Sequence, residues 1–306
     1  MEITLDRAIY HAPRGKRRLM HLASLVAQRY LSPTDRLIGV IGDAGAGKSL
    51  LVRGMFPGLV LTNDDDGIYV RPAPVLEDAR RGKFDSHTYH VDARLECAFA
   101  QPWQVGEAIR AAVTAGKRVV VEHFDLVYPS VGSNAELLIG IGDEVLVTRP
   151  WVFGPYPHEI AEVVYRSLKY RKMAHSAEDL TAIVFMDFGY KLPEFHSDVW
   201  KGYVMEFRER PDIDLDAIEA RVREYIRRDV PIAQVDDEHI RMGDRVISCS
   251  GPRIHVSSTG EIKGFRMEKE ILYDRLADHY LIAGLVGDED GGEHPGASRQ
   301  WVGAGA

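Results

Sequence analysis

Cysteine is nearly absent from this 306-residue chain: Cys97 and Cys249 are the two it has. Two thiols make no disulfide framework, so a reducing compartment, the cytoplasm, is expected. No apolar run approaches the roughly 18 residues that would span a bilayer. The start, Met1-Glu2-Ile3-Thr4-Leu5-Asp6, lacks the cationic-then-apolar pattern of a secretory signal. A soluble intracellular protein with no membrane partner is the expectation. No Gly-x-Ser-x-Gly and no Ser/His/Asp order points to a hydrolase triad, and no internal repeat is found. The net charge of −8 argues against a broad surface for coating nucleic acid. The densest positive cluster, Arg14-Gly15-Lys16-Arg17-Arg18, reads either as a solvated helix start or as a contact to RNA phosphates.

What the chain does have is Gly42-Asp43-Ala44-Gly45-Ala46-Gly47-Lys48-Ser49, a complete G-x-x-x-x-G-K-[ST] loop. It follows Leu37-Ile38-Gly39-Val40-Ile41, an apolar run suited to a buried strand, and precedes Ser49-Leu50-Leu51-Val52-Arg53, a helix start. The glycines let successive backbone N–H groups converge on a polyphosphate. Lys48 would reach the β- and γ-phosphates, the Ser49 hydroxyl would hold Mg²⁺, and the helix start through Leu50 would add its positive dipole end. A nucleoside triphosphate with Mg²⁺ is therefore the expected ligand. GTP-type base readers usually carry Asn-Lys-x-Asp, which is not found here, so ATP is favoured.

Residues 16–30 show helical apolar spacing through Leu19, Leu22, Ala23, Val26 and Ala27. Gly58–Thr62 reads as a second strand running into Asn63-Asp64-Asp65-Asp66. A helix is expected near 103–115 with Gly116 at its C-terminal cap, then strands at Arg118–Glu122 and Glu144–Thr148. This alternation implies a parallel α/β sheet with flanking helices. Residues 149–158 hold three prolines and a glycine, and the domain boundary is placed there. Beyond it, helical patterns at 159–173 and 212–228, an apolar stretch Thr181–Met186, a strand at 200–207 and hairpin-like segments from 240 to 268 suggest a smaller α+β domain. Residues 287–306, rich in glycine and acid, read as a flexible tail. The expected division is 1–152, 153–286 and 287–306.

The order of parts after the phosphate loop resembles the uridine kinase and phosphoribulokinase branch of P-loop proteins. That branch has an Asp-x-Phe-Tyr-like segment after its second strand, matched here by Asp66-Gly67-Ile68-Tyr69. It also has a strand ending in Glu-Gly, matched by Val119-Val120-Val121-Glu122-His123. The resemblance implies that Asp66 orients or deprotonates an acceptor hydroxyl and that Glu122 sits near the metal. Lys48, Asp66 and Glu122 are thus the candidate catalytic residues. The branch's arginine-rich lid has no counterpart, since Leu146-Val147-Thr148-Arg149-Pro150 runs into the linker; Arg149, or Arg80 and Arg81, are the candidate substitutes.

The segment Cys249 to Ile262 resembles the second additional domain of alanyl- and threonyl-tRNA synthetases, shared with freestanding editing proteins. That domain carries Cys-Gly-Gly-Thr-His-Val followed by Thr-Gly-Glu-Ile; here Cys249, Gly251, His255-Val256 and Thr259-Gly260-Glu261-Ile262 match. Its His-x-x-x-His helix is matched by His175, with Asp179 in place of the second histidine. Five residues separate Cys249 from His255 where the family has three. Residues four apart share one helix face, so His175 and Asp179 could hold one cation with Cys249 and His255, a mixed set that suits Zn²⁺. His239 is an alternative ligand, and an inherited fold without metal, with Cys249 as a buried small hydrophobe, is the other reading. The resemblance implies hydrolysis or sensing of an aminoacyl ester such as mischarged tRNA. The two remaining readings are a small-molecule kinase and a nucleotide-switched, non-catalytic binding module. Cys97 reads as core; His87 and His90, at x-x spacing around Tyr89, read as a surface or crevice pair or as a metal pair.

Overall fold

A computed structural model describes residues 7–62, 72–199 and 201–287. Asp64, Asp65, Asp66, Tyr69, Trp200 and the tail beyond 287 lie outside those residues. The chain divides into two compact units, Met1–Arg166 and Ser167–Ala306, and is mixed α/β.

The first unit runs β1 (Ala8–His11), α1 (Lys16–Tyr30), β2 (Leu37–Ile41), α2 (Lys48–Met55), α3 (Pro74–Arg81), β3 (Thr88–Asp92), α4 (Ala93–Glu96), α5 (Pro102–Thr114), β4 (Arg118–Glu122), α6 (Phe124–Val131), β5 (Leu137–Ile141) and β6 (Glu144–Thr148). Its sheet has the order β1-β6-β5-β2-β4-β3. β5, β2, β4 and β3 are parallel, while at one side β6 runs antiparallel to β5 and β1 runs antiparallel to β6. Strands such as Leu37-Ile38-Gly39-Val40-Ile41 and Leu137-Leu138-Ile139-Gly140-Ile141 are buried along their whole length, as parallel strands covered on both faces require.

Two expectations are corrected here, and one strand is added. Gly58–Thr62 forms no strand; the outer edge of β4 is taken by Thr88–Asp92, a five-residue run that includes His90. Leu137–Ile141, unassigned from sequence, is the parallel neighbour of β2 on its other side. The sheet is mixed rather than wholly parallel, because only Gly142 and Asp143 separate β5 from β6, room for a hairpin but not for a crossover helix.

Helix α7, Pro157–Phe188, has no glycine or proline after its first residue and so runs unbroken for 32 residues. It ends at Gly189 (φ 71°), where Tyr190 N–H returns to Phe185 O at 2.9 Å. Ile160, Ala161 and Val164 in its opening turns belong to the first unit's core. The division therefore falls at Arg166/Ser167 rather than in the proline-rich segment 149–158.

The second unit contains the rest of α7, then β7 (Phe195–Val199), β8 (Gly202–Phe207), α8 (Leu215–Arg227), β9 (Ile232–Gln234), β10 (His239–Met242), β11 (Arg245–Ser248), β12 (Arg266–Met267), β13 (Leu272–Asp274) and β14 (His279–Leu285). One antiparallel sheet has the order β12-β14-β8-β7 with β13 on β14, and β11-β10-β9 form a second. Met173, Ala174, Ala177, Leu180, Ile183, Val184 and Phe185 of α7 pack into one core with Tyr203, Met205, Ile218 and Val222. Residues 173–181 of α7 are buried all round, so every polar side chain there needs a partner.

Candidate functional sites

The phosphate-loop sequence lies at the C-terminal end of β2. From there the chain builds β3 and β4 on one side of β2 and then β5 on the other. Open α/β sheets bind ligands at such a reversal of strand order, outside the carboxyl ends of the strands. Gly45 (φ 80°) and Gly47 (φ 99°) take left-handed conformations that a side chain would strain. Ala46 N–H reaches back to Asp43 O at 3.2 Å, and α2 begins at Lys48. The Lys48 ammonium is buried and donates to Asp43 O at 3.0 Å. Burial pushes its pKa down, against the pull of Glu122 and Asp92. The Ser49 hydroxyl donates to Glu122 Oε2 at 3.3 Å. Glu122 ends β4 and is itself buried.

The described residues bring further groups to this place that sequence reasoning missed. Asp92 ends β3 opposite Glu122 and caps α4 through Leu95 N–H at 3.0 Å. Arg94 Nη2 stands 3.7 Å from Asp43 Oδ1. His123, left-handed at φ 56°, is buried; burial, with Lys48 and Arg94 beside it, holds its pKa down to about 4. The missed signal was Thr88–Asp92: a strand ending in aspartate, followed by Arg94, at the edge of Arg118–Glu122. Asp66 was placed by a strand at 58–62 that does not form, and it lies outside the described residues.

Arg149 does not serve as a lid. Its guanidinium clasps buried Asp35 with two 2.8 Å bonds and also donates to Glu136 O and Tyr30 O. Asp35 precedes the start of β2, so Arg149 sits at the end of the strands opposite the loop. Arg81 is engaged by Asp78 and Glu77.

In the second unit, His175, Asp179, Cys249 and His255 come together, their candidate ligand atoms all within 4.8 Å of one another. His175 and Asp179 project from one face of α7; Cys249 and His255 come from the loop after β11. The two extra residues between Cys249 and His255 are absorbed by a turn in which Ile254 N–H bonds Gly251 O at 2.9 Å. His175 Nε2 is 3.1 Å from Cys249 Sγ, and His255 Nε2 is 3.0 Å from Asp179 Oδ2. Each histidine's other nitrogen has a separate acceptor. His175 Nδ1 meets Glu178 Oε2 at 2.9 Å, and His255 Nδ1 meets Pro252 O at 3.2 Å. That arrangement leaves both Nε2 atoms facing the set, as metal-binding imidazoles require. Gly251 N–H lies 3.3 Å from Cys249 Sγ, a donor suited to a thiolate. Burial pushes the His255 pKa down, favouring the neutral, ligating form. Burial alone would raise Asp179, yet His175 and His255 hold it below the usual carboxylate range. The donor set fits Zn²⁺.

The other candidates fall away. His239 is half-buried and pairs with Asp236 at 2.9 Å. Cys97 packs partly buried against the first core, where burial raises its pKa and quiets the thiol. His87 is exposed, whereas His90 is buried.

No family model matches the chain. No curated protein matches it. Among solved structures, the crystal structure of a SepCysS–SepCysE N-terminal domain complex aligns with 66% of this chain at 9% identity and a TM-score of 0.22. The chain covers 64% of that structure's chain, under two-thirds of its length. A likeness that slight carries no argument. Among the described residues, no helix is long and apolar enough to cross a membrane.

Proposed function

We propose that this chain binds ATP with Mg²⁺ on Gly42–Ser49 and couples that binding to recognition of an aminoacyl-type or tRNA-linked substrate by its second unit. The observation that carries the nucleotide reading is the Ser49 hydroxyl at 3.3 Å from buried Glu122. A hydroxyl and a carboxylate beside a phosphate-binding lysine are what a phosphate-bridging Mg²⁺ needs. Lys48 would leave Asp43 O for the terminal phosphates, and Arg94 would add charge from the β3 side. The chemistry a bound Mg²⁺ supplies is neutralisation of the charge that develops on the phosphate oxygens. Ser49→Ala should abolish the magnesium-dependent part of ATP binding and spare the magnesium-free part. Wild-type binding of ATP that ignores magnesium would overturn this reading.

The four-donor set of the second unit supports a particular version of the substrate reading. Zinc held by all four side chains has no open position for the water that hydrolysis requires, and filled tetrahedral sites are structural. Zinc here would fix the loop 249–256 against α7 and shape a surface for recognition, so sensing is favoured over deacylation. The zinc content of wild type and of His255→Ala tests the metal. Efficient aminoacyl-ester hydrolysis by the zinc-loaded protein would overturn the sensing version.

A further inference from the structure

His90 is an unused group with an unusual set of partners. It sits in the middle of β3 with its side chain fully buried. Its Nδ1 receives the backbone N–H of Thr62 at 3.0 Å, with the Thr62 hydroxyl also close at 3.2 Å. A backbone N–H can only donate, so Nδ1 must be the unprotonated nitrogen. The proton of the neutral ring is then on Nε2, which lies 3.1 Å from Glu122 Oε1. The other oxygen of Glu122 receives the Ser49 hydroxyl. The hydrogen bonds thus run in one direction, from Thr62 through the ring to Glu122, and Glu122 is held from both sides.

Resting on the Mg²⁺-nucleotide reading above, we infer that His90 is a positioning residue. It fixes Glu122 so that Oε2 faces Ser49, the pair that would hold magnesium. A buried carboxylate with a single partner could turn about its terminal torsion; a donor on Oε1 removes that freedom. The ring also fastens Thr62, the last described residue before the acidic run 64–66, to the same carboxylate.

The two ring nitrogens can be tested separately. His90→Asn keeps an acceptor near the Nδ1 position for Thr62 and loses the donor to Glu122. His90→Gln carries an amide N–H to the Nε2 position and restores that donor. The assay is binding of a fluorescent ATP analogue, titrated with magnesium and repeated without it, on the full chain. His90→Asn should raise the magnesium needed for half-maximal binding about tenfold, the usual cost of losing an outer-shell partner, while His90→Gln stays close to wild type. Magnesium-free binding should be unchanged in both, which a merely structural role would not give. If Ser49→Ala loses the magnesium effect but His90→Asn keeps the wild-type response, the inference about His90 is overturned and the nucleotide reading stands. Equal loss of magnesium-dependent and magnesium-free binding in both His90 variants also overturns it. Absence of any magnesium effect in wild type overturns the nucleotide reading itself, and His90's role with it.

Discussion

Removing zinc from the second unit should cost it much of its stability, and the size of the loss follows from the donor set. His175 and Asp179 from α7 and Cys249 and His255 from the loop after β11 place their ligand atoms within 4.8 Å of one another. Both imidazoles are already oriented by Glu178 and Pro252, so little ordering remains to be done when the ion arrives. A ligand at about 1,000 times its dissociation constant stabilises the folded state by about 4 kcal/mol. For a unit of this size that is on the order of 10–15 °C in melting temperature. Without the ion, the contacts between Nε2 and Sγ and between Nε2 and carboxylate remain, each worth only about 1 kcal/mol. The assay is differential scanning calorimetry of purified protein, with and without a chelator, beside elemental analysis. Wild type should carry one zinc per chain and melt about 10–15 °C lower after chelation. Cys249→Ala should hold no zinc and ignore the chelator. Because Cys249 must lose its proton to bind zinc, the wild-type shift should also shrink on acidification. The reasoning is refuted if wild type lacks zinc, or if the chelator moves both proteins equally.

Arg149→Ala leaves Asp35 buried without its bidentate partner and should cost about 3 kcal/mol in urea unfolding. ATP affinity should hold, since the pair lies at the opposite end of the strands; a lost affinity would restore Arg149 as a lid. Asp78 is a pH prediction. Burial alone would raise its carboxyl, but the Tyr89 hydroxyl, Asp85 N–H and Arg81 hold it below the usual range. The unfolded chain therefore binds the proton more readily, and this contribution is full above about pH 4 and is lost as pH falls further. Urea midpoints of wild type and Asp78→Asn should converge at low pH; a constant gap from pH 7 to 3 would exclude the linkage.

The strand-to-helix turn at Gly42–Ser49 was legible because its pattern is local: three glycines, a lysine and a serine in eight residues specify it by themselves. Glu122 was legible for the same reason, at the end of a run of valines. The cluster of His175, Asp179, Cys249 and His255 was legible only through a resemblance, since α7 and the loop after β11 are brought together by tertiary packing that no local pattern reports. That resemblance also named Asp179 as a ligand position; in the structure its carboxylate lies 3.0 Å from His255 Nε2. What failed was strand identity. Gly58–Thr62 looks apolar enough for a strand, whereas Thr88-Tyr89-His90-Val91-Asp92 carries three polar side chains. Those polar groups are tolerated in a buried strand because each has a specific partner, as His90 does in Thr62 and Glu122. The long helix was read only over 159–173, with Thr181–Met186 left as an apolar stretch, because its middle, His175 to Thr181, mixes buried polar and apolar residues and loses the amphipathic period.

The most direct test of the central claim is calorimetric titration of ATP into the purified 306-residue chain, with magnesium, beside Lys48→Ala. Wild type should bind one nucleotide saturably, and the variant at least about tenfold more weakly, because a charge-assisted phosphate contact is worth about 1.5–3 kcal/mol. No binding in wild type, or equal binding in both proteins, would contradict the assignment of Gly42–Ser49 as a nucleotide site.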